Sequence, residues 1–308
     1  MKNIYKSSNL SIKKRNYILL FMVLPFVTFI VMFCYVPIFG WIYAFYNYKP
    51  GIPLSRTPFV GLQNFRYMIQ DIKEIRSVLT NTLAMSFLNL ACAPLPVLLA
   101  IMLNEMKSIR FKKFAQTVTT IPNFVSWVIV FSMAFALFSY NGMTNQLLEL
   151  MNLAPKKAYS LLSDGENVWF IQLAFGNWKS LGWSSIIYLA AIAGIDGELY
   201  DAAAIDGANR FQINVHVTVP GVMPTFIVLL LLSVSSLVSV GFDQYFIFKN
   251  PMTADKIEVL DLYIYRMGIA NNDYAFATAV GMLKTFVSVL LLFSVNIFSK
   301  KVRGQAVI

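Results

Sequence analysis

From Asp196 to Pro220 the chain reads DGELYDAAAIDGANRFQINVHVTVP, a polar stretch set between two long apolar runs. Asp196, Glu198 and Asp201 crowd the start of an alanine-rich segment, where carboxylates favour the positive end of a helix dipole. Ala202, Ala203 and Ala204 keep that helix slim. Gly207 then takes up a conformation that other residues resist, so the chain turns sharply. A second helix is expected from Phe211 until Pro220 ends it and leads into the next apolar run. A slim helix, a tight turn and a second helix form a protruding wedge suited to a cleft on a partner. The wedge occupies about residues 196–224.

The flanking runs set the fold class. A helix that crosses a bilayer needs about 20 predominantly apolar residues, and six stretches qualify. They lie within Tyr17–Phe45, Val78–Asn104 and Thr117–Ser139, then at roughly Phe175–Ile195, Thr225–Phe248 and Phe276–Phe298. The expected fold is therefore all-α and membrane-integral, with six spans filling residues 17–299. A basic N-terminal segment, 1–16, precedes them and a short tail, 300–308, follows. Between the spans, Gln63–Arg76 has Phe65, Met68, Ile69, Ile72 and Ile75 at helical spacing, which predicts a short amphipathic helix. Asn141-Gly142 marks a turn, and Met143–Met151 reads as a further interfacial helix.

Composition agrees with this reading and removes several function classes. Of 308 residues, 57% are hydrophobic and 13% charged, against about a quarter charged in a soluble domain. The apolar run after Asn16 continues uncharged to Tyr48, too long for a cleaved signal core of about 7–15 residues. The net charge of +10 falls in clusters beside the spans: Lys13 to Arg15, Lys107 to Lys113, and Lys300 to Arg303. That placement points to a membrane surface, not to nucleic acid, and the short clustered positives put both termini in the cytoplasm. One histidine, His216, and two cysteines inside apolar runs, Cys34 and Cys92, leave no material for a multi-histidine metal site, a disulfide framework or most catalytic triads. No G-x-x-x-x-G-K-[ST] phosphate loop is present, so no ATP site is expected in the chain.

The wedge resembles the EAA loop of bacterial ABC importer permeases. That pattern is an acidic residue, two small residues, D-G-A, and an aliphatic-x-aliphatic-Pro ending. The matching positions are Asp201, Ala202, Ala203, Asp206, Gly207, Ala208, Val217, Val219 and Pro220. Asp201 stands where the family usually has Glu, one methylene longer. Val36-Pro37, Phe45 and Phe59-Val60-Gly61-Leu62-Gln63-Asn64-Phe65 extend the resemblance to the carbohydrate-uptake permeases, in particular the branch for oligosaccharides and polysaccharide fragments. The resemblance implies the type I importer permease fold and a cytoplasmic coupling helix that docks into an ATPase. It also implies a second, homologous permease chain in a heterodimer, two cytoplasmic ATPase subunits that bind the ATP and Mg, and an extracellular, often lipid-anchored, sugar-binding protein. In this chain it implies transport without cofactor or chemistry, in the bacterial cell membrane.

By resemblance to the maltose permeases of this family, sugar contacts come from the fourth and fifth spans. Lys179, Ser180 and Trp183 fall on one of these, and Ser233, Ser236, Leu237 and Val240 on the other. Leu237 and Val240 are apolar where polar groups are expected. Trp178 and Trp183 are either sugar-stacking platforms or interface anchors. Ser233 and Ser236 either bond hydroxyls or permit close helix packing. Lys179 either snorkels outward or faces the cavity, where it would suit a uronate. Lys284, an intramembrane cation, either lines the path or pairs with a carboxylate or carbonyl of the partner permease. Asp243 and Gln244 are placed at the outer mouth of the fifth span, and His216 on the coupling surface. Competing classes are a permease for amino acids, phosphonates or metals and, further off, a secondary transporter or membrane enzyme. The paired interrupted segments of the former and a nucleophile or metal constellation for the latter are not evident.

Overall fold

A computed structural model describes residues 17, 19–70, 72–153 and 160–303. The N-terminal segment 1–16, with its basic cluster, and the tail beyond residue 303 lie outside the described residues. Among those described every regular element is a helix, apart from one isolated antiparallel bridge, Tyr46 to Phe59.

The helices run in the order α1 (Leu19–Phe45), α2 (Gln63–Gln70), α3 (Ile72–Ala91), α4 (Pro94–Asn104), α5 (Ile109–Thr120), α6 (Trp127–Phe138) and α7 (Met143–Leu150). They continue with α8 (Val168–Ala193), α9 (Gly197–Ile205), α10 (Arg210–Ile213), α11 (Val219–Ser235), α12 (Asp243–Phe248), α13 (Ala254–Ile257), α14 (Leu260–Tyr265) and α15 (Tyr274–Arg303). Five stretches are long and apolar enough to cross a membrane: Leu19–Phe45, Ile72–Asn104, Trp127–Leu150, Arg210–Ser235 and Tyr274–Lys301. A sixth is counted when α8 is taken together with α9, the pair being bent by 72° at the break between them.

The expected spans are interrupted where the sequence gives a local reason. The third, expected as one run over Thr117–Ser139, is divided. Pro122 cannot donate to the helical ladder, so α5 passes into a 3-10 turn at Ile121–Phe124. Ser126 then starts α6 by accepting from the Ile129 amide at 3.4 Å. The fifth, expected to run to Phe248, stops at Ser235. There Ser233, Ser235 and Ser236 donate to the carbonyls of Leu229, Leu232 and Ser233, competing with the ladder. Gly241, at φ +101°, completes the turn before α12. The amphipathic helix expected over Gln63–Arg76 is α2 only to Gln70, and Ile72 and Ile75 belong to α3.

Pro220 is also reassigned. It does not end a helix, because Arg210–Ser235 runs on through it. Asn214–Thr218 forms a π turn in which the Val219 amide reaches back five residues to the Asn214 carbonyl. The ladder is therefore already out of α register where proline's missing donor and bulky ring arrive.

The chain divides into two compact units, residues 1–70 with 267–282, and residues 71–266 with 283–308. In the first, the Phe59–Phe65 segment is pinned to the end of α1. Asn64 is buried and donates to the Ala44 carbonyl at 2.8 Å, and the Val60 amide bonds Phe45 at 2.9 Å. Phe65 packs on Phe45 with ring centroids 5.7 Å apart, and Gly61 supplies a positive φ of +57° at the turn.

In the second unit α8 is central and packs against α4, α5 and α11. Lipid tails are as apolar as leucine, so helices associate in a membrane through close packing and hydrogen bonds. Both kinds of contact hold this unit together. Ala100, Tyr188, Ile192 and Val222 form one buried cluster. Thr82 accepts from the Leu260 amide at 2.8 Å, and Asn81 donates to the carbonyls of Asp255 and Glu258 at 2.7 and 3.1 Å. Gly182 is the tightest approach: a Cβ there would lie 2.1 Å from the Thr119 carbonyl oxygen on α5.

Gly182→Ala is therefore expected to force α5 and α8 apart, at about 1–3 kcal/mol by the usual cost of overpacking. Gly197→Ala, with nothing within 4 Å of the new methyl, is the control. Thermal unfolding of the purified complex in nanodiscs separates them, and equal stability of the two variants would contradict the contact.

Candidate functional site

The polar stretch that opened the sequence folds as a helical hairpin. Asp196 caps α9 by accepting from the Glu198 amide at 3.0 Å. After Ile205 the amides of Gly207 and Ala208 turn back to the carbonyls of Ala204 and Ala203, at 3.1 and 3.0 Å. This reversal needs the left-handed conformation that Gly207 adopts at φ +76°. Asn209 and Gln212 then form a reciprocal capping box that starts α10. Tyr200 and Thr218 share a hydrogen bond at 3.2 Å, joining α9 to the base of α11. Arg210 reaches Glu105 at the end of α4, 3.7 Å away and largely exposed, a contact worth about 1 kcal/mol at most.

Of the coupling candidates, Asp201, Ala202, Asp206, Gly207 and Pro220 are exposed, while Ala203 and Ala208 are half-buried. Within the hairpin the most open large apolar groups are Ile205, 86% exposed, and Phe211, 77% exposed. They flank the Gly207 turn, and the motif, which specifies carboxylates and small residues, did not single them out. His216 is exposed, with its ring bonded to the Gln212 carbonyl at 2.9 Å.

The path candidates separate into two groups. Ser180, Ser233 and Ser236 come together around a groove of about 530 Å³ between α3, α4, α8 and α11. Asn89, Asn177 and Ser184 share its lining, and sequence reasoning missed all three. The signal was in the sequence, since Asn177, Ser180 and Ser184 sit at helical spacing on one face of α8. An adjoining hollow of about 230 Å³ includes Ser86, Ser239, Leu237 and Val240.

Lys179, Trp183 and Lys284 are placed elsewhere. The Lys179 ammonium donates to the carbonyls of Pro122 and Asn123, at 3.3 and 2.6 Å, and lies 5.5 Å from the Trp127 ring centre. It thus fills the break between α5 and α6. Trp183 packs edge-on against Phe124, with centroids 5.6 Å apart. Trp178 faces an apolar cavity of about 630 Å³ with Val130, Met133, Phe170 and Phe175. Lys284 forms an ion pair with Asp261 of this same chain, and both side chains are less than one-fifth exposed.

Near that pair lies a second set of charges absent from the sequence reading. Arg266 bonds Glu258 through Nε at 2.7 Å and also reaches Glu74, while Lys249 bonds Glu258 at 3.0 Å. Burial pulls the Arg266 pKa down, but the hydrogen bonds and charges of Glu258 and Glu74 outweigh it and raise the value overall. Gln244 donates to the carbonyl and side-chain oxygens of Gln172, at 2.7 and 2.9 Å, tying α12 to α8.

Residues 93–304 match the model of the family described as binding-protein-dependent transport system inner membrane component. Protein LplB of Bacillus subtilis (strain 168) is 36% identical over 94% of this chain and 90% of its own length. The polygalacturonan/rhamnogalacturonan transport system permease protein YteP of the same organism is 36% identical over 91% of this chain and 87% of its own. A crystal structure of a bacterial ABC transporter involved in the import of the acidic polysaccharide alginate contains a chain that superposes with a TM-score of 0.84. Their identity is 32%, covering 94% of this chain and 97% of that one.

Removing one partner of the Lys284–Asp261 pair leaves the other buried and uncompensated, at about 3–5 kcal/mol. Lys284→Met is therefore expected to destabilise the protein more than the double change Lys284→Met with Asp261→Leu. Thermal unfolding in nanodiscs tests this, and a double variant less stable than the single one would refute the pairing.

Proposed function

We propose that this chain, which belongs to the family of binding-protein-dependent transport system inner membrane components, is the permease subunit of an ATP-driven importer of oligosaccharides or polysaccharide fragments. The hairpin carries the proposal. The 72° bend after α8 turns α9 out of line with the span that precedes it, and Gly207 reverses the chain with Ile205 and Phe211 left open. Such a knob fits the coupling role that the motif implies, with Asp201, Ala202, Ala203, Asp206, Gly207 and Ala208 at the ATPase and Pro220 leading into α11.

The resemblance to a polysaccharide permease and to the alginate importer supports the sugar class. In this reading both termini are cytoplasmic. The chain pairs with a second permease, two cytoplasmic ATPase subunits hold the ATP and Mg, and an extracellular sugar-binding protein delivers the substrate. This chain supplies half of the path and no ATPase site of its own.

The geometry suits alternating access. From Asn177 in the groove to Ala193 at the bend, α8 rises about 24 Å as one helix. A displacement of the hairpin at one end of this lever moves the groove wall at the other. ATP-driven closure of the ATPase subunits draws the two coupling hairpins together and opens the groove toward the loaded binding protein. Hydrolysis returns it to face inward.

Gly207→Pro replaces a φ of +76° by one fixed near −65°. Membrane insertion is expected to persist while substrate-stimulated ATPase activity of the reconstituted complex is lost. Normal stimulation in that variant would contradict the coupling assignment. A ligand screen of the cognate binding protein tests the sugar class, and amino acids or metal ions as its ligands would sink it.

A further inference from the structure

We infer that the groove wall of this chain recognises the uncharged, hydroxyl-rich face of an oligosaccharide and disfavours a uronate carboxylate. The inference rests on the oligosaccharide reading and specifies its substrate class. Its first support is the state of the groove's own hydrogen bonds. Ser180, Ser233 and Ser236 each donate their hydroxyl hydrogen to a carbonyl of their own helix, at 2.8, 2.9 and 3.0 Å. What these three side chains still offer is oxygen lone pairs. Asn177 donates one N–H to Leu173 at 3.0 Å and keeps its amide oxygen and a second N–H.

A sugar hydroxyl both donates and accepts, so it satisfies such acceptors and can still take a bond from an asparagine amide. A carboxylate only accepts. Against serine lone pairs it gains nothing, and the one spare Asn177 N–H does not replace its water or supply a counter-charge.

The second support is where the positive charges are. Among the described residues that line the groove none is charged. Lys179 adjoins Ser180 in sequence, yet its ammonium is held by two carbonyls at the break between α5 and α6. Lys284 is neutralised by Asp261. A carboxylate-bearing chain would therefore have to turn its charges toward another subunit. Such an uncharged groove contrasts with the acidic polymers for which one relative and the superposed importer are named.

The test uses the complete importer in nanodiscs without binding protein, by calorimetry. The probes are short oligogalacturonides and oligomannuronates, each as free acid and as full methyl ester. The esters are expected to bind about tenfold or more tightly than the acids, because only the acids must desolvate a carboxylate without a counter-charge. Ser180→Arg, or Ser233→Arg if the first fails to assemble, is expected to reverse the order by adding a fixed cation. Tighter binding of the acids to the unmodified complex overturns the charge inference and leaves the oligosaccharide reading in place. Binding of neither form, or no reversal in a monodisperse arginine variant, also overturns it. ATPase stimulation by an amino acid or metal ion instead of any sugar removes the oligosaccharide reading itself.

Discussion

Pro122 interrupts a helix in a setting where backbone polar groups have few alternatives. In hydrocarbon there is no water to satisfy a freed carbonyl, so a broken span survives only if the protein supplies the missing partner. Lys179 supplies it with a charge-assisted hydrogen bond to Asn123. Its charge is in turn partly accommodated over the Trp127 ring. This contact fixes the break between α5 and α6 against α8, close to where Gly182 allows α5 to within one atom's width. It also withdraws the nearest cation from the groove. Packing of the second unit and polarity of the groove thus depend on the same ammonium.

The groove and the hairpin are linked by covalent geometry. α8 and α11 contribute opposite walls, with Asn177, Ser180 and Ser184 on one and Ser233 and Ser236 on the other. The same two helices are joined at their far ends by the hairpin, and the Tyr200–Thr218 bond closes that junction. The π turn at Asn214–Thr218 lies in this junction, a form that often marks functional sites. It lets α11 carry Pro220 without ending, so the wall stays continuous with the hairpin.

The spans, the hairpin and the Met143–Leu150 helix were legible because each depends on local features: apolar length, an acidic cap, a glycine in a left-handed turn. What was not legible depended on partners distant in sequence. Lys179 read as snorkelling or facing the cavity and Lys284 as lining the path or pairing with the partner permease, since their partners in this chain lie 56 and 23 residues away. The Arg266 cluster joins Glu74 to a segment 192 residues later. Breaks at Pro122 and Ser235 were hidden because an apolar count ignores missing donors and serine hydroxyls that bond backwards. Pro220 was misread in the opposite sense: a proline rule written for α register does not hold after a π turn.

The distribution of charge agrees with what the proposed substrate path requires. A fixed ion in the groove would have to exchange its solvation each time the site changed sides, and an uncompensated one would hold water or ligand strongly. Hydroxyls and amides exchange water for sugar at a net change of only about 0.5–1.5 kcal/mol per bond, which permits both capture and release. The ions of the second unit are instead placed where elements are fastened: Lys284 to Asp261 between α15 and α14, Arg266 to Glu74 and Glu258 between the end of α14 and α3. Such pairs are strong only while their geometry is kept, so they suit parts that move as one body. In the proposed path neutral polar groups line the surface that must let go, while the ion pairs fasten one element to another.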